Sequence, residues 1–327
     1  MKERIAVGFS GFLHYSADEI IRITQEAERL GYDSAWIAET RFVDDGLALL
    51  AGLSTVTKRM RLSNAILGHT FARTPVLLAL GATTIDLLSN GRSILGLGPG
   101  ASYYVSKQGV AFTKPLQALR EYVLAIRQLL SGEEVTFQGD FAHVDAVKLG
   151  ITPIQKHLPI FLGISGPKML KMTGEIADGV VLNALVTPQY IKNAIKLVKE
   201  GADNAGRSMK DIEITSVIFV SMSDDRQRAL NTLKPMLADY FVHQSHTARD
   251  SGLDEPTLKK IEDAWQTGGQ EAAARAVPDS IVQAINVAGT PKECRVKLDE
   301  YRSAGVQVPI VFPLPPNPTR ILAELIE

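Results

Sequence analysis

The stretch "GISGPK", Gly163 to Lys168, follows the apolar run "LPIFL" and combines two glycines, a serine and a proline. Glycine backbones ahead of a helix N-terminus leave N–H groups free to point at an anion, so the stretch can cradle phosphate. The same letters also spell an ordinary Gly-Pro turn, and both readings stand. It is not a P-loop, because Lys168 is followed by Met169 and the GxxxxGK[ST] spacing is absent. A second stretch, "LGLGPGASYY" (Leu95 to Tyr104), places Gly96, Gly98 and Ala101 on the G-x-G-x-x-G/A dinucleotide pattern. The match is weak: the next apolar helix opens only at Pro115, and Glu121 and later acids lie within or after it. A rim loop whose glycines let a flat ring approach the backbone fits better.

Single residues add less. Glu39 ends the run "AWIAE", where a carboxylate relays a proton or holds a polar substrate group. A salt bridge to Arg41 or Arg73 is the competing reading. His69 follows a strand-like run, and Tyr103 and Tyr104 offer hydroxyls without a specific pattern. His243 and His246, with Asp250 one turn on, have no further ligand pattern behind them, so no metal is expected. Cys294 falls in a helical stretch without a nearby histidine and reads as inert. There is no G-x-S-x-G and no kinase motif set.

These stretches need a frame. Short apolar runs alternate with amphipathic segments along all 327 residues. The strand runs are "RIAVGFSGF", "YDSAWIAE", "RLSNAILG", "RSILGLG", "LPIFLGIS", "GVVLNA", "IEITSVIFVSM" and "VQVPIVFPL". Helices between them carry start signals: Ser16 with Glu19 and Thr290 with Glu293 as capping boxes, and Pro75 and Pro115 as first-turn residues. Eight strand–helix units predict an α/β fold of the (β/α)8 TIM-barrel class, with a doubly wound sheet as runner-up. One barrel domain over 1–327 is expected, with a hairpin insertion at about 133–158 and a helical insertion at about 224–289. In such a barrel the strand C-termini form the active mouth.

The totals bound the function. Net charge is −1, from 35 basic and 36 acidic residues, which gives no footprint for nucleic acid or an anionic membrane. No run approaches a membrane span, and the first residues lack a signal-peptide pattern. With one cysteine no internal disulfide forms, so a cytoplasmic protein is expected.

Taken together, "AERLGYDSAWIAET", "RLSNAILGHTFARTPVLLALGATTIDLLSNGRSILGLGPG", "PIFLGISGPKMLKMTGEIADGVVLNA" and "VAGTPKECRVKLDEYRSAGVQVPIVFP" resemble the bacterial luciferase-like superfamily of flavin and deazaflavin oxidoreductases. The resemblance spans nearly the whole chain. "GLGPG" followed by "GVAFTKPLQALREYVLAIRQLLSGE" is most similar to the coenzyme F420-dependent methylenetetrahydromethanopterin reductase branch.

The resemblance implies a hydride-transferring oxidoreductase using F420, or FMN as alternative, with a small organic substrate such as a methylenetetrahydromethanopterin-like one. It implies a non-prolyl cis peptide and bulge at Ala65-Ile66-Leu67, placed at Ile66–Leu67, backing the middle ring of the cofactor. Ile66, Leu67, Gly68, Gly98 and Asn183 are then cofactor-binding candidates, and Gly163, Ile164, Ser165 and Gly166 hold the phosphate end. A homodimer is the family expectation, and an FMN monooxygenase would take reduced flavin from a partner reductase. The pattern also departs from the family. The reductase branch has a glutamate where this chain has Gly8, Asp-His where it has Glu39-Thr40, and an aspartate where it has Ala101. The F420-dependent alcohol and sugar-phosphate dehydrogenases have a histidine at Thr40 and a glutamate at Ala101. These gaps keep a non-catalytic flavin-like binder as a third reading and leave Glu39 as the candidate for proton handling.

Overall fold

The computed structural model describes residues 3–39, 42–243 and 252–326. Eight parallel strands close into a barrel: β1 (Ala6–Ser10), β2 (Ser34–Glu39), β3 (Arg61–Leu67), β4 (Ser93–Leu97), β7 (Ile160–Ile164), β8 (Gly179–Leu182), β9 (Glu213–Met222) and β11 (Val308–Pro313). The β8–β9 and β11–β1 pairings complete the ring. All eight lie on the apolar runs read from the sequence, so the TIM barrel holds and the doubly wound sheet falls. Between β4 and β7 a two-stranded hairpin forms from β5 (Val135–Gln138) and β6 (His143–Val147). A three-residue strand, β10 (Val287–Gly289), extends β9 beyond the ring and was not foreseen.

Local signals explain the helices. The first, α1 (Ala17–Leu30), starts at the Ser16–Glu19 capping box and stops at Gly31 in the left-handed conformation. It buries Ile20, Ile23 and Ala27 against the barrel wall, each large aliphatic contributing about 1.5–3 kcal/mol. Asp45 caps α2 (Gly46–Val56), and Thr74 caps α3 (Pro75–Ser89), which has Pro75 in its first turn. Unforeseen is α4 (Ser102–Ser106), a short helix in the rim loop. The stripe helix follows as α5 (Pro115–Leu129), then α6 (Pro167–Ile176) after β7 and α7 (Pro188–Asn204) after β8.

Strand alternation divides the core in two. Outward residues such as Val7, Ile37, Leu62 and Leu162 pack under the helices. Inward residues Ala6, Trp36, Ile94, Phe161, Val217 and Ile310 fill the barrel. Arg4, Asp33, Arg61 and Glu213 pair with one another near the strands' N-terminal ends, at 2.7–2.8 Å. The interior continues without a break into helices of the segment after β9. These are α8 (Arg226–His243), α9 (Glu255–Ala276) and α10 (Asp279–Ile285). Leu233, Leu237, Phe241, Ile261 and Val282 share one cluster with Phe219, Ile310 and Phe312. These helices therefore pack on the β9–β11 side of the barrel. The chain closes with α11 (Pro291–Ser303), started by the Thr290–Glu293 capping box, and α12 (Pro318–Ile326).

Candidate active site at the barrel mouth

The site is built around a defect in β3. Between Asn64 and Leu67 this strand has one residue more than its neighbours need: Ile37 pairs with Asn64 and Glu39 with Leu67 on one side. On the other side Ser63 pairs with Ile94 and Leu67 with Leu97. The Ala65–Ile66 peptide in this bulge is cis, one bond earlier than the Ile66–Leu67 position read from the sequence. The extra residue turns Ile66 into the mouth, where it lies across β4 and β7. A Cβ on Gly98 would sit 2.0 Å from Ile66 Cδ1, and one on Gly163 would sit 2.2 Å from Ile66 Cγ2. Both positions exclude any larger side chain. The glycines are thus required by Ile66, and the result is a flat apolar shelf of Gly98, Ile66 and Gly163.

Two members of the sequence-derived ring and phosphate sets do not face this shelf. Leu67 is wholly buried and Ile164 nearly so, both in the cluster under the helices. Strand alternation turns their side chains outward, so only their backbone can face the mouth. Gly68 backs the rim: its N–H donates to the Glu39 carbonyl at 3.1 Å. Asn183 is exposed at the end of β8, with its Oδ1 accepting from the Ala184 amide.

On the β7 side, Ser165 is half-buried and Gly166 exposed, with φ +84°. Gly166 caps α6 with no side-chain hydrogen bond, and a Cβ there would meet nothing within 4 Å. Pro167 brings no N–H to the first turn of α6, and no side chain caps the amides that follow it. Shelf and uncapped helix start together fit a planar ring with a phosphate-bearing tail.

Glu39 is committed elsewhere. Its carboxylate is buried and accepts from Arg73 Nη1 at 2.9 Å and Nη2 at 2.7 Å. It also accepts from the amides of Gly46 and His69, both at 3.2 Å. Arg73 Nη2 bonds Asp45 as well, at 2.6 Å. The bidentate pair ties the end of β2 to the loop after the bulge, the salt bridge to Arg73 that the sequence offered. Burial raises the Asp45 carboxyl, but amide bonds from Ala48 and Leu47 and the Arg73 charge outweigh it and hold it below the ordinary carboxylate range.

The remaining candidates carry little. His69 stacks on Phe42 with centroids 5.6 Å apart, and its Nδ1 meets Gln108 Nε2 at 2.7 Å. Ala101 caps α4 without a side-chain bond. Cys294 is buried, and desolvation pushes its thiol up to about 12, which makes it unreactive. His243 packs on Trp265, while Thr40, His246 and Asp250 lie outside the described residues. Among the described residues no helix is long and apolar enough to cross a membrane.

Sequence reasoning missed the Ile66 contact and the aromatic wall opposite the shelf. Phe312, Phe219, Tyr240 and Phe12 form that wall, with successive centroids 5.6, 6.4 and 4.7 Å apart. Its signal was the inward parity of Phe219 and Phe312 on their strands.

The luciferase-like monooxygenase family model matches residues 6–308. The chain belongs to this family. It is 29% identical over 307 residues to a 5,10-methylenetetrahydromethanopterin reductase of Methanolobus tindarius, covering 92% of this chain and 93% of that protein. It is 27% identical over 303 residues to an F420-dependent glucose-6-phosphate dehydrogenase of Amycolatopsis mediterranei, covering 88% and 86%. The solved coenzyme F420-dependent tetrahydromethanopterin reductase of Methanopyrus kandleri superposes with a TM-score of 0.90 at 26% identity, covering 100% of this chain and 98% of that one.

Proposed function

We propose that this protein is an F420-dependent oxidoreductase that moves a hydride between the deazaflavin and a small organic substrate. One observation carries the reading: the shelf of Gly98, Ile66 and Gly163 lies beside the uncapped start of α6. A flat tricycle with an anionic tail fits that pair of features. The similarity to F420 enzymes of two substrate types supports the same cofactor. When bound, the deazaflavin supplies the hydride chemistry. This chain's residues orient it. The Ile66 bulge supports the ring, the Ser165–Gly166 backbone and α6 hold the phosphate, and Glu39–Arg73 fixes the loop after the bulge. The insertion helices α8–α10 exclude water from the opposite side.

The substrate differs from that of the reductases in what it asks of the protein. Gly8 and Ala101 carry no acid, so chemistry relying on a carboxylate at either strand end is not supported. The activity test follows loss of reduced F420 against a panel of methylene-pterins, alcohols, aldehydes and unsaturated ketones. Turnover with any member supports the oxidoreductase. Binding of the cofactor without turnover across the panel favours the non-catalytic binder.

The working unit in this reading is a homodimer. Neighbouring helices α2 and α3 are apolar on both faces, and Leu77, Leu87 and Leu88 are 56%, 42% and 50% exposed. Three leucines on one such helix are what a buried interface presents.

A further inference from the structure

The covered half of the mouth holds a hydroxyl with no hydrogen-bond partner among the described residues. On β1 the inward positions are Ala6, Gly8 and Ser10, and Ser10 pairs in register with inward-facing Ala38. Ser10 Oγ is shielded from solvent and makes no hydrogen bond among the described residues. An orphaned buried hydroxyl opposes folding, so its retention calls for a purpose.

Its surroundings are aromatic. Two residues below, the space a side chain at position 8 would fill belongs to Phe312: a Cβ on Gly8 would lie 1.9 Å from Phe312 Cε1. From Phe312 the rings run through Phe219 to Tyr240 on α8 and back to Phe12, two residues beyond Ser10. Along β1 and its extension Ser10 stands between Gly8, covered by Phe312, and Phe12, which stacks on Tyr240. Glu39, at the end of β2, and Asp45 are both bound by Arg73, and Asp44 is exposed.

Resting on the deazaflavin reading above, we propose that Ser10 Oγ donates a hydrogen bond to the carbonyl oxygen of an uncharged, apolar α,β-unsaturated ketone held against this wall. Reduction of an isolated carbonyl develops a localised alkoxide and calls for an acid in contact. Conjugate reduction spreads the charge over an enolate, for which a neutral hydroxyl donor suffices. The hydride from reduced F420 forms a C–H bond at the β-carbon as the C=C π bond breaks. The electron pair moves to the enolate oxygen under Ser10. Water then protonates the α-carbon, leaving the saturated ketone and oxidised F420. Phe312, by filling the space at Gly8, excludes a carboxylate and disfavours a charged substrate.

The test compares wild type with Ser10→Ala, using benzylideneacetone and its para-carboxy derivative with reduced F420, after F420 binding is read by fluorescence quenching. Wild type turns over benzylideneacetone at least about tenfold faster than the charged derivative. Ser10→Ala loses about 100-fold in kcat/KM on benzylideneacetone. It keeps its F420 affinity, and without cofactor it melts at or above the wild-type Tm, because an unsatisfied hydroxyl has been removed. Wild type that binds F420 but leaves benzylideneacetone unreduced overturns the proposal while sparing the cofactor reading. Preference for the carboxylate, unchanged turnover in Ser10→Ala, or a lowered Tm also overturns it. Failure of wild type to bind F420 overturns both.

Discussion

Ile66 lies against Gly163, with its Cγ2 where a side chain on residue 163 would begin. The bulge in β3 and the glycine near the C-terminal end of β7 are therefore one feature made by two distant segments. Gly163→Val forces Ile66 off its seat or splays β7. F420 affinity falls at least about tenfold, the loss expected from misplacing a preorganised contact. Fluorescence quenching of F420 reads this directly, and Ile66→Ala in the Gly163→Val background should recover part of it.

Glu39→Gln should act on stability. The carboxylate is buried and bidentate to Arg73, so removing its charge leaves the guanidinium short of a partner. A broken buried pair costs about 3–5 kcal/mol, and the retained amide brings the expected loss to roughly 2–3 kcal/mol. Denaturant melts measure it. At saturating cofactor the remaining folded enzyme keeps its kcat, whereas a proton-relay role would remove kcat without lowering stability.

The strand runs, capping boxes and prolines were legible in the sequence because each is a local signal, and eight strand runs in alternation name the barrel. What Glu39 and Ile66 do was not legible. Glu39's partner is 34 residues away at Arg73, and nothing local separates a rim salt bridge from a catalytic acid. The bulge adds one residue, which decides whether Ile66 or its neighbours face the mouth and put Leu67 on the wrong side. The Phe312 ring over Gly8 joins opposite ends of the chain, so the missing acid appeared as a gap where the structure has a filled space.

Acid sensitivity should centre on the barrel floor. Burial raises the Asp33 carboxyl, but Arg4 and Arg61 outweigh this and hold it below the ordinary carboxylate range. The unfolded chain therefore takes up this proton at higher pH than the folded one. The stabilisation is complete above the ordinary value of about 4 and is lost as pH falls through the lower folded value. Asp33→Asn should be less stable than wild type at neutral pH, with the gap closing below about pH 4. Urea melts across that window check the slope, and a gap independent of pH would contradict it.

If α2 and α3 form the dimer face, Leu87→Glu with Leu88→Glu buries like charges at the interface. The double variant should sediment as a monomer at micromolar concentration with its far-UV circular dichroism unchanged. A wild type that is itself monomeric would remove the dimer from the account.

The central claim is the identity of the cofactor, and parallel titration of the purified protein with F420 and with FMN tests it most directly. Saturable F420 binding is expected, with FMN at least about tenfold weaker, a difference of about 1.4 kcal/mol. Tight FMN binding with no response to F420 would contradict it and return the protein to the flavin monooxygenase side of its family.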